Sequence, residues 1–464
     1  MHRILIPLFL TACLPKSPAD SETAVAPNFA ELTAGGTASI EVTTETQGAD
    51  VLITGATVWT ATGERFSPGW IHFSEGNIVA VGEGTPPEIE GETLHREGAW
   101  VTPGLIDTHS HLGVYPSPWA RAHGDGNEAT SPTTPGVWAE HSFWPQDPGL
   151  QLAAAGGITA LQILPGSANL VGGRGVVLQL IPTRGSRAMR LPGAPETVKM
   201  ACGENPKRVY GDRGGPSTRM GNVHGHRSAF FKAAETQKEW QEYEESIEKG
   251  EEDVEPPSRD LDNETLMGIL EGRFLPQVHC YRADDMLSIL QLADEFGFTI
   301  RSFHHALEAY KIRDILAERG VSSSTWADWW GFKLEAYDGI PYNAALLTEA
   351  GAKAIIHSDS SEGIQRLNQE ASKAFHWGEQ AGIEVTEDDA LQWITLNPAW
   401  ALGIDALTGS LEAGKRADVV IWDRHPFSVY SKPIKVWSNG IMSFDAEAPN
   451  PIWSDFMTGQ EVSQ

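Results

Sequence analysis

The sequence predicts an α/β fold, namely a (β/α)8 TIM barrel with a small β-sandwich domain that is built from both ends of the chain. In the middle of the chain, helix-like segments alternate with short apolar runs that end in polar residues, as in residues 149–164, 284–305 and 342–359. This alternation is typical of parallel strands connected by helices. At both ends, short β-branched runs alternate with Gly and Asn turns, which predicts antiparallel strands. A doubly wound sheet is the alternative, but no Gly-rich dinucleotide fingerprint follows an early strand.

These patterns divide the chain into five segments. They are a signal sequence at 1–13, a flexible tether at 14–48, the first part of the β-sandwich at 49–100, the barrel at 101–404 with an insertion at about 165–263, and the second part of the β-sandwich at 405–464. The tether is rich in Ser, Thr, Ala, Gly, Pro and Glu, and it has few large apolar residues that would form a core.

The first 13 residues resemble the signal sequence of a bacterial lipoprotein. Arg3 precedes a short apolar run, and small residues then lead to Cys13, the position at which a lipobox is lipidated. The apolar run is too short to span a bilayer, so we expect membrane contact by a lipid anchor only, in the bacterial cell envelope. The alternative is a chance cysteine after an apolar stretch.

The composition favours a globular protein and argues against nucleic acid as a partner. The chain has 464 residues, of which 41% are hydrophobic, enough to bury a sizeable core. Its 34 basic and 62 acidic residues give a formal net charge of −28, which argues against nucleic acid as a partner. The oligomeric state is left open. Of the three cysteines, Cys202 and Cys280 are candidates for a disulfide or for two buried thiols.

Ligand-type side chains stand at the ends of successive predicted barrel strands, where barrel enzymes carry their active sites. His109 and His111 alternate at the end of the first strand, so both imidazoles face the same side. Later strand ends carry Lys199, His279, His304, His305 and Asp359. A single buried histidine is usually a core residue. Several buried polar side chains each need a partner, however, and one metal ion is a partner that all of them can share. Imidazoles and carboxylates suit zinc and similar divalent ions.

Two stretches then carry a family resemblance. The run VTPGLIDTHSH at 101–111 resembles the first barrel strand of the amidohydrolase superfamily. The stretches TLNPAWALGI at 395–404 and TGSLEAGKRADVVIWD at 408–423 resemble its last barrel helix and the return to its β-sandwich. The resemblance implies one or two divalent metal ions per chain, with zinc as the expected ion, and hydrolysis of a carbon–nitrogen bond.

The resemblance also assigns metal ligands. These are His109, His111 and Asp359 for the more buried metal, His279 and His305 for a second metal, and Lys199 as a bridge between them. Lys199 falls where the subgroup of metal-dependent prolidases and dipeptidases carries a carbamylated lysine. His305 is preferred to His304 because the stretch HALEAYK follows it, as in related sequences. Without carbamylation the site would hold one metal, as in imidazolonepropionase-like and deaminase-like members.

The implied reaction is hydrolysis of an amide, a dipeptide-like amide or a cyclic amide. A metal-activated hydroxide attacks, and Asp359 acts as the general base. The alternatives are a mononuclear hydrolase that opens a cyclic amide or deaminates a ring, and a catalytically inactive binding lipoprotein. Candidate substrate-binding residues are Arg174, Arg208, Tyr210 and Arg282, because an arginine holds a carboxylate in bidentate fashion.

Overall fold

The computed structural model describes residues 48–449 with the exception of 182 and 184. The predicted signal sequence with Cys13, nearly all of the tether and residues 450–464 therefore lie outside the described residues. In the described part of the chain, no helix combines the length and the apolar character needed to cross a membrane.

The strands follow the predicted order. The first five are β1 Val51–Trp59, β2 Arg65–Ser74, β3 Asn77–Glu83, β4 Glu92–His95 and β5 Trp100–Pro103. The barrel strands are β6 Leu105–Ser110, β7 Ile158–Ile163, β8 Val171–Gln179, β9 Thr197–Ala201, β10 Leu275–Cys280, β11 Ser302–His305, β12 Ser322–Thr325 and β13 Ala354–Ile356. The last three are β14 Val419–Trp422, β15 Pro433–Ser438 and β16 Ile441–Asp445.

The helices connect the barrel strands and surround them. The α-helices are α1 Pro148–Ala155, α2 Ser186–Met189, α3 Glu204–Tyr210, α4 Arg219–Glu248, α5 Leu261–Leu270, α6 Ala283–Phe296, α7 Arg313–Arg319, α8 Asn343–Glu349, α9 Leu367–Gln380, α10 Glu387–Gln392 and α11 Leu396–Ala401. Short 3-10 helices cover Arg121–His123, Ala139–His141, Gly211–Arg213, Ala309–Ile312, Leu334–Ala336 and Ile364–Arg366.

The barrel prediction is confirmed, with one departure from a uniformly parallel sheet. Strands β6 to β13 pair in chain order, and β8 runs antiparallel to both β7 and β9. A parallel neighbour needs a crossover of about a dozen residues or more, and the short connection at 164–170 between β7 and β8 allows only a hairpin. The segment 165–263 is therefore not one insertion, because it contributes β8 and β9 to the barrel before the long helix α4.

The barrel is nearly closed. The Ile356 amide donates to the Trp393 carbonyl at 3.0 Å, and the Ile106 amide donates to the adjacent Ile394 carbonyl at 2.9 Å. The amide of Asp359 also donates to the carbonyl of His109 at 3.0 Å. The last strand end is thus held beside the first, which brings their polar side chains to one mouth.

The two ends of the chain meet in one sheet domain, as the sequence predicts. Strand β14 pairs antiparallel with β5, and the strand order is β16-β15-β14-β5-β1-β2-β3, with β4 also on β1. A separate apolar cluster that includes Val51, Phe73, Val101 and Trp437 forms its core. The domain carries the chain into β6, so it positions the first barrel strand.

A disulfide joins neighbouring strand ends in the barrel. Cys202 follows β9 and Cys280 ends β10, and their Cα atoms are 5.3 Å apart. The amide of Cys202 also donates to the carbonyl of His279 at 2.9 Å. The bond therefore ties together the two strands that carry Lys199 and His279.

Candidate metal centre

His109, His111 and Asp359 converge at the mouth of the barrel. The Nε2 atoms of the two histidines are 3.3 Å apart. Asp359 Oδ1 lies 3.3 Å from His111 Nε2 and 3.6 Å from His109 Nε2. Burial alone would raise the pKa of Asp359, but its hydrogen bond with His111 and nearby positive charge hold that pKa below its usual range. The carboxylate is therefore ionised at neutral pH and is available as a ligand.

His305 and His279 form the other side of the cluster. The ring centroids of His279 and His305 are 4.5 Å apart, and His305 Nδ1 is 3.9 Å from Asp359 Oδ2. His305 and Ala306 have φ angles of 70° and 32°, in the left-handed region that non-glycine residues seldom adopt. This turn at the end of β11 brings His305 into the mouth together with its neighbour His304, instead of leaving the two on opposite faces.

Lys199 completes the predicted set. Its side chain is fully buried on β9, and Nζ lies 3.3 Å from His109 Nε2. Burial lowers the pKa of Lys199 to about 7, because the charged ammonium has lost its hydration. A large fraction of the lysine is therefore a neutral amine near neutral pH.

Hydrogen bonds to backbone carbonyls place the proton of the outer histidines, His111 and His357, on Nδ1. His111 Nδ1 donates to the Leu164 carbonyl at 2.8 Å, and His357 Nδ1 donates to the Thr325 carbonyl at 3.1 Å. His357 Nε2 then accepts from His305 Nδ1 at 3.1 Å, which leaves His305 Nε2 without its proton. Carbonyl and imidazole acceptors thus select the tautomers that metal ligation needs.

A buried chain of hydrogen bonds, called the relay below, also places the proton of His109 on Nδ1. The Gln277 amide nitrogen donates to the Ala401 carbonyl at 3.1 Å, so its oxygen faces His304 Nε2 at 2.7 Å and accepts that proton. His304 Nδ1 then accepts from His109 Nδ1 at 3.0 Å, leaving His109 Nε2 as a lone pair. Because both nitrogens of His304 are engaged, the geometry favours His305 as the ligand on β11.

These residues fit a divalent metal. Two groups have ligand atoms within 4.8 Å of one another, namely His109 with His304 and His357, and His109 with His305 and Asp359. Burial holds the pKa of His109, and of His305, well below the usual range, so both are neutral donors. Neutral imidazoles with a carboxylate are a donor set that zinc and similar ions prefer.

Sequence reasoning missed His357. Burial lowers the pKa of His357 to about 4, and its Nε2 contacts His305 inside the cluster. The signal was present, because His357 precedes Asp359 by two residues and alternate residues of an extended chain share a face. Ser358, between them, donates through its amide to Asp107 at 3.0 Å and anchors this segment to β6.

Arg174 does not reach the centre. Gly173 is in register with Lys199, so the side chain of Arg174 leaves from the opposite face of the sheet. Its Nε donates to Thr265 Oγ1 at 3.0 Å, and its guanidinium lies 4.5 Å from the ring centroid of Trp138. Arg174 therefore packs outside the barrel and is corrected from a substrate ligand to a packing residue.

The other candidate substrate residues also have local partners. Arg282 forms an ion pair with Asp284 at 2.8 Å, and the buried Tyr210 hydroxyl donates to Asn169 Oδ1 at 3.0 Å. Arg208 is an exposed residue of α3. None of the three contacts the histidine cluster within hydrogen-bond distance in the described part of the chain.

Three residues that the sequence did not single out border the mouth instead. Tyr281 stacks on His305 with ring centroids 5.1 Å apart, and Lys333 Nζ lies 3.8 Å from the Tyr281 ring centroid. The Asn205 side-chain nitrogen lies 3.3 Å from His279 Nε2. Burial lowers the pKa of Lys333, although nearby carboxylates oppose this shift.

A cavity of about 520 Å³ opens beside the centre. It reaches His111 and Asp359, whose side chains are 19% and 24% exposed, whereas His109 and His305 are buried. The cluster is therefore open to solvent on the side of His111 and Asp359.

Comparison with known proteins finds amidohydrolases among the relatives of this chain. The Amidohydrolase family matches residues 336–451. The chain is 36% identical over 367 residues to the amidohydrolase tasK of Hapsidospora irregularis, which covers 75% of this chain. The alignment spans 37% of the length of that relative.

Solved structures extend the comparison to the whole fold. An amidohydrolase from Thermotoga maritima MSB8 is 35% identical, has a TM-score of 0.78, and aligns over 85% of this chain and 100% of its own. An adenosine deaminase from Xanthomonas campestris with bound zinc has a TM-score of 0.50 and 18% identity, over 85% of this chain and 93% of its own. At that identity the second likeness concerns the fold alone.

Proposed function

Because this chain belongs to the amidohydrolase superfamily, we propose that it hydrolyses a carbon–nitrogen bond of a small amide at a divalent metal centre. The observation that carries the proposal is the convergence on His109 Nε2. That atom lies 3.3 Å from His111 Nε2, 3.3 Å from Lys199 Nζ and 3.6 Å from Asp359 Oδ1. Without a shared cation, so many buried donors and acceptors would be poorly satisfied.

We propose zinc as the ion and His109, His111 and Asp359 as ligands of the more buried site. The relay through His304 and the carbonyl of Leu164 support this assignment, because each keeps a proton on Nδ1 and exposes Nε2. When bound, a divalent ion supplies Lewis acidity, which acidifies water and polarises an amide carbonyl.

The second part of the proposal is that Lys199 is carbamylated. The neutral amine attacks the carbon of CO₂ and releases one proton, and the carbamate that forms has two oxygens. The buried position of Lys199 supports this step, because burial keeps a large fraction of the amine neutral near pH 7. The anionic carbamate would bridge to a second site formed by His279 and His305.

Asp359 is the proposed general base. It holds hydrogen-bond contact with His111, and it borders the cavity from which water enters. Its ionised carboxylate accepts a proton from the attacking water and returns that proton to the leaving nitrogen, so the amide is cleaved to a carboxylate and an amine.

Metal counting and turnover test the proposal together. We expect two zinc equivalents per chain and hydrolysis of N-acyl amino acids or dipeptides by the wild-type protein. Lys199→Met is expected to lose the second equivalent and most activity, whereas Lys238→Met, at an exposed site on α4, keeps both. One tightly bound ion in the wild type, with turnover of a cyclic amide or a ring amine, would support a mononuclear hydrolase. Absence of metal-dependent turnover on every panel would support the binding lipoprotein.

Attachment to the bacterial cell envelope through a lipid on Cys13 is a separate proposal. It rests on the residues that precede Cys13 in the sequence.

A further inference from the structure

The cavity beside the metal centre is lined by polar residues on one part of its wall and by apolar and aromatic residues on another. Its apolar and aromatic lining consists of Leu112, Tyr115, Pro116, Pro118, Trp119 and Trp329. The first five follow β6, and Trp329 reaches the cavity from the segment after β12. Two separate parts of the chain therefore supply an indole to the same groove.

Trp329 stacks on Trp326, which in turn stacks on the proposed metal ligand His305. The ring of Trp326 lies 4.7 Å from that of His305 at an interplanar angle of 25°, and Trp329 lies 5.0 Å from Trp326 at 20°. Trp326 is buried, and its indole N–H donates to the Ser358 carbonyl at 2.9 Å. The buried Trp326 ring thus holds the Trp329 ring in place, and the other face of Trp329 lines the groove.

The charge of the lining is one-sided. Asp359 and Glu362 line the groove, and none of the described lining residues is a lysine or an arginine. Glu362 accepts a hydrogen bond from Ser360 Oγ at 3.2 Å and stays exposed. Lys373, on helix α9, forms ion pairs with Asp328 and with Glu370. A carboxylate beside Glu362 would therefore meet negative charge and no lysine or arginine from the walls of the groove.

We propose that this groove is the subsite for the side group of the substrate, and that it takes an aromatic group without negative charge. Indole walls supply large flat surfaces for a ring, and the Glu362 carboxylate at the rim favours a neutral or cationic group. The inference rests on the proposed function for the reaction, but it predicts binding that is independent of turnover.

Hydrolysis of matched amides tests the selectivity. The test compares amides that differ only in one side chain, which is that of phenylalanine, alanine or glutamate. The expected kcat/KM is at least about tenfold higher for the phenylalanine amide than for the alanine amide, and lowest for the glutamate amide. Equal values for all three, or preference for glutamate, would overturn the inference.

Variants connect the selectivity to the groove. Trp119→Ala and Trp329→Ala are expected to lower kcat/KM for the phenylalanine amide at least about tenfold more than for the alanine amide. The controls are Trp330→Ala and Trp377→Ala, which replace tryptophans that are 50% and 47% exposed and lie outside the lining. If the controls lose the aromatic preference equally, the effect is not due to the groove and the inference is wrong.

Equilibrium binding separates this inference from the proposed reaction. Benzyltrimethylammonium and benzenesulfonate are poor metal ligands, and each is titrated against the metal-loaded full-length protein by saturation-transfer NMR. We expect the cation to bind at least about tenfold more tightly, and Trp329→Ala but not Trp330→Ala to weaken it. This result without turnover of any amide would refute the reaction and support the groove. Amide turnover together with equal binding of both probes would support the reaction and refute the inference about the groove.

Discussion

The burial of Lys199 predicts a distinct pH dependence of stability for the metal-free protein. The side chain is fully buried, and burial lowers its pKa from 10.5 to about 7, with Asp359 opposing the shift. Between those two values the unfolded chain carries a proton on this lysine that the folded chain does not. Unfolding therefore takes up a proton, and the free energy of unfolding rises as pH rises through this window.

The slope follows from one proton, at about 1.4 kcal/mol per pH unit. From pH 7.5 to pH 9 this lysine contributes on the order of 2 kcal/mol to the increase in the free energy of unfolding. Lys199→Met removes the titrating group and keeps an unbranched side chain, so the variant is expected to lack this contribution.

Urea unfolding of the metal-free protein in CO₂-depleted buffer at several pH values measures the effect. All other groups titrate in both proteins, so the difference between the two slopes isolates Lys199. Lys238→Met serves as the control, because that exposed lysine keeps its hydration in the folded chain and the wild-type slope should persist. Equal slopes for the wild type and Lys199→Met would refute the assignment of a buried, neutral amine.

Three further predictions concern the relay, the base and the anchor. Gln277→Leu removes the acceptor of the His304 proton and should weaken zinc binding about 10- to 100-fold in chelator competition. Gln277→Glu keeps an acceptor and should lose less zinc affinity. Equal losses of affinity in the two variants would contradict the relay. Asp359→Asn should lower kcat by about 10²- to 10⁴-fold, and a rate within twofold of wild type in metal-loaded protein would exclude this base. Cys13→Ser should move the protein from the detergent phase to the aqueous phase in a bacterial host, and unchanged partitioning would contradict lipidation.

Much of the fold and the site follows from local sequence patterns. The spacing of His109 and His111 places both imidazoles on one face of a strand, and their Nε2 atoms are in fact 3.3 Å apart. The alternation of helices and strands predicts the barrel, and a barrel brings all its strand ends to one mouth. Lys199, His279 and Asp359 could therefore be grouped without knowledge of any contact.

Other features depend on backbone details that no pattern reveals. Strand β8 contains three glycines, which are poor strand formers, so the sequence predicts an insertion there and does not reveal an antiparallel strand. The two adjacent histidines of β11 both face the centre because His305 and Ala306 adopt positive φ angles, and strand alternation predicts the opposite.

Residue types and their spacing along the chain were sufficient to group the candidate metal ligands, because metal coordination requires particular donor atoms and regular strands orient them predictably. Contacts between distant segments settled the rest. The relay from Gln277 through His304, the disulfide between Cys202 and Cys280, and the groove that Trp119 and Trp329 share join residues far apart in the chain. Their partners are set by how strands and loops pack in three dimensions, which local patterns of residues do not encode.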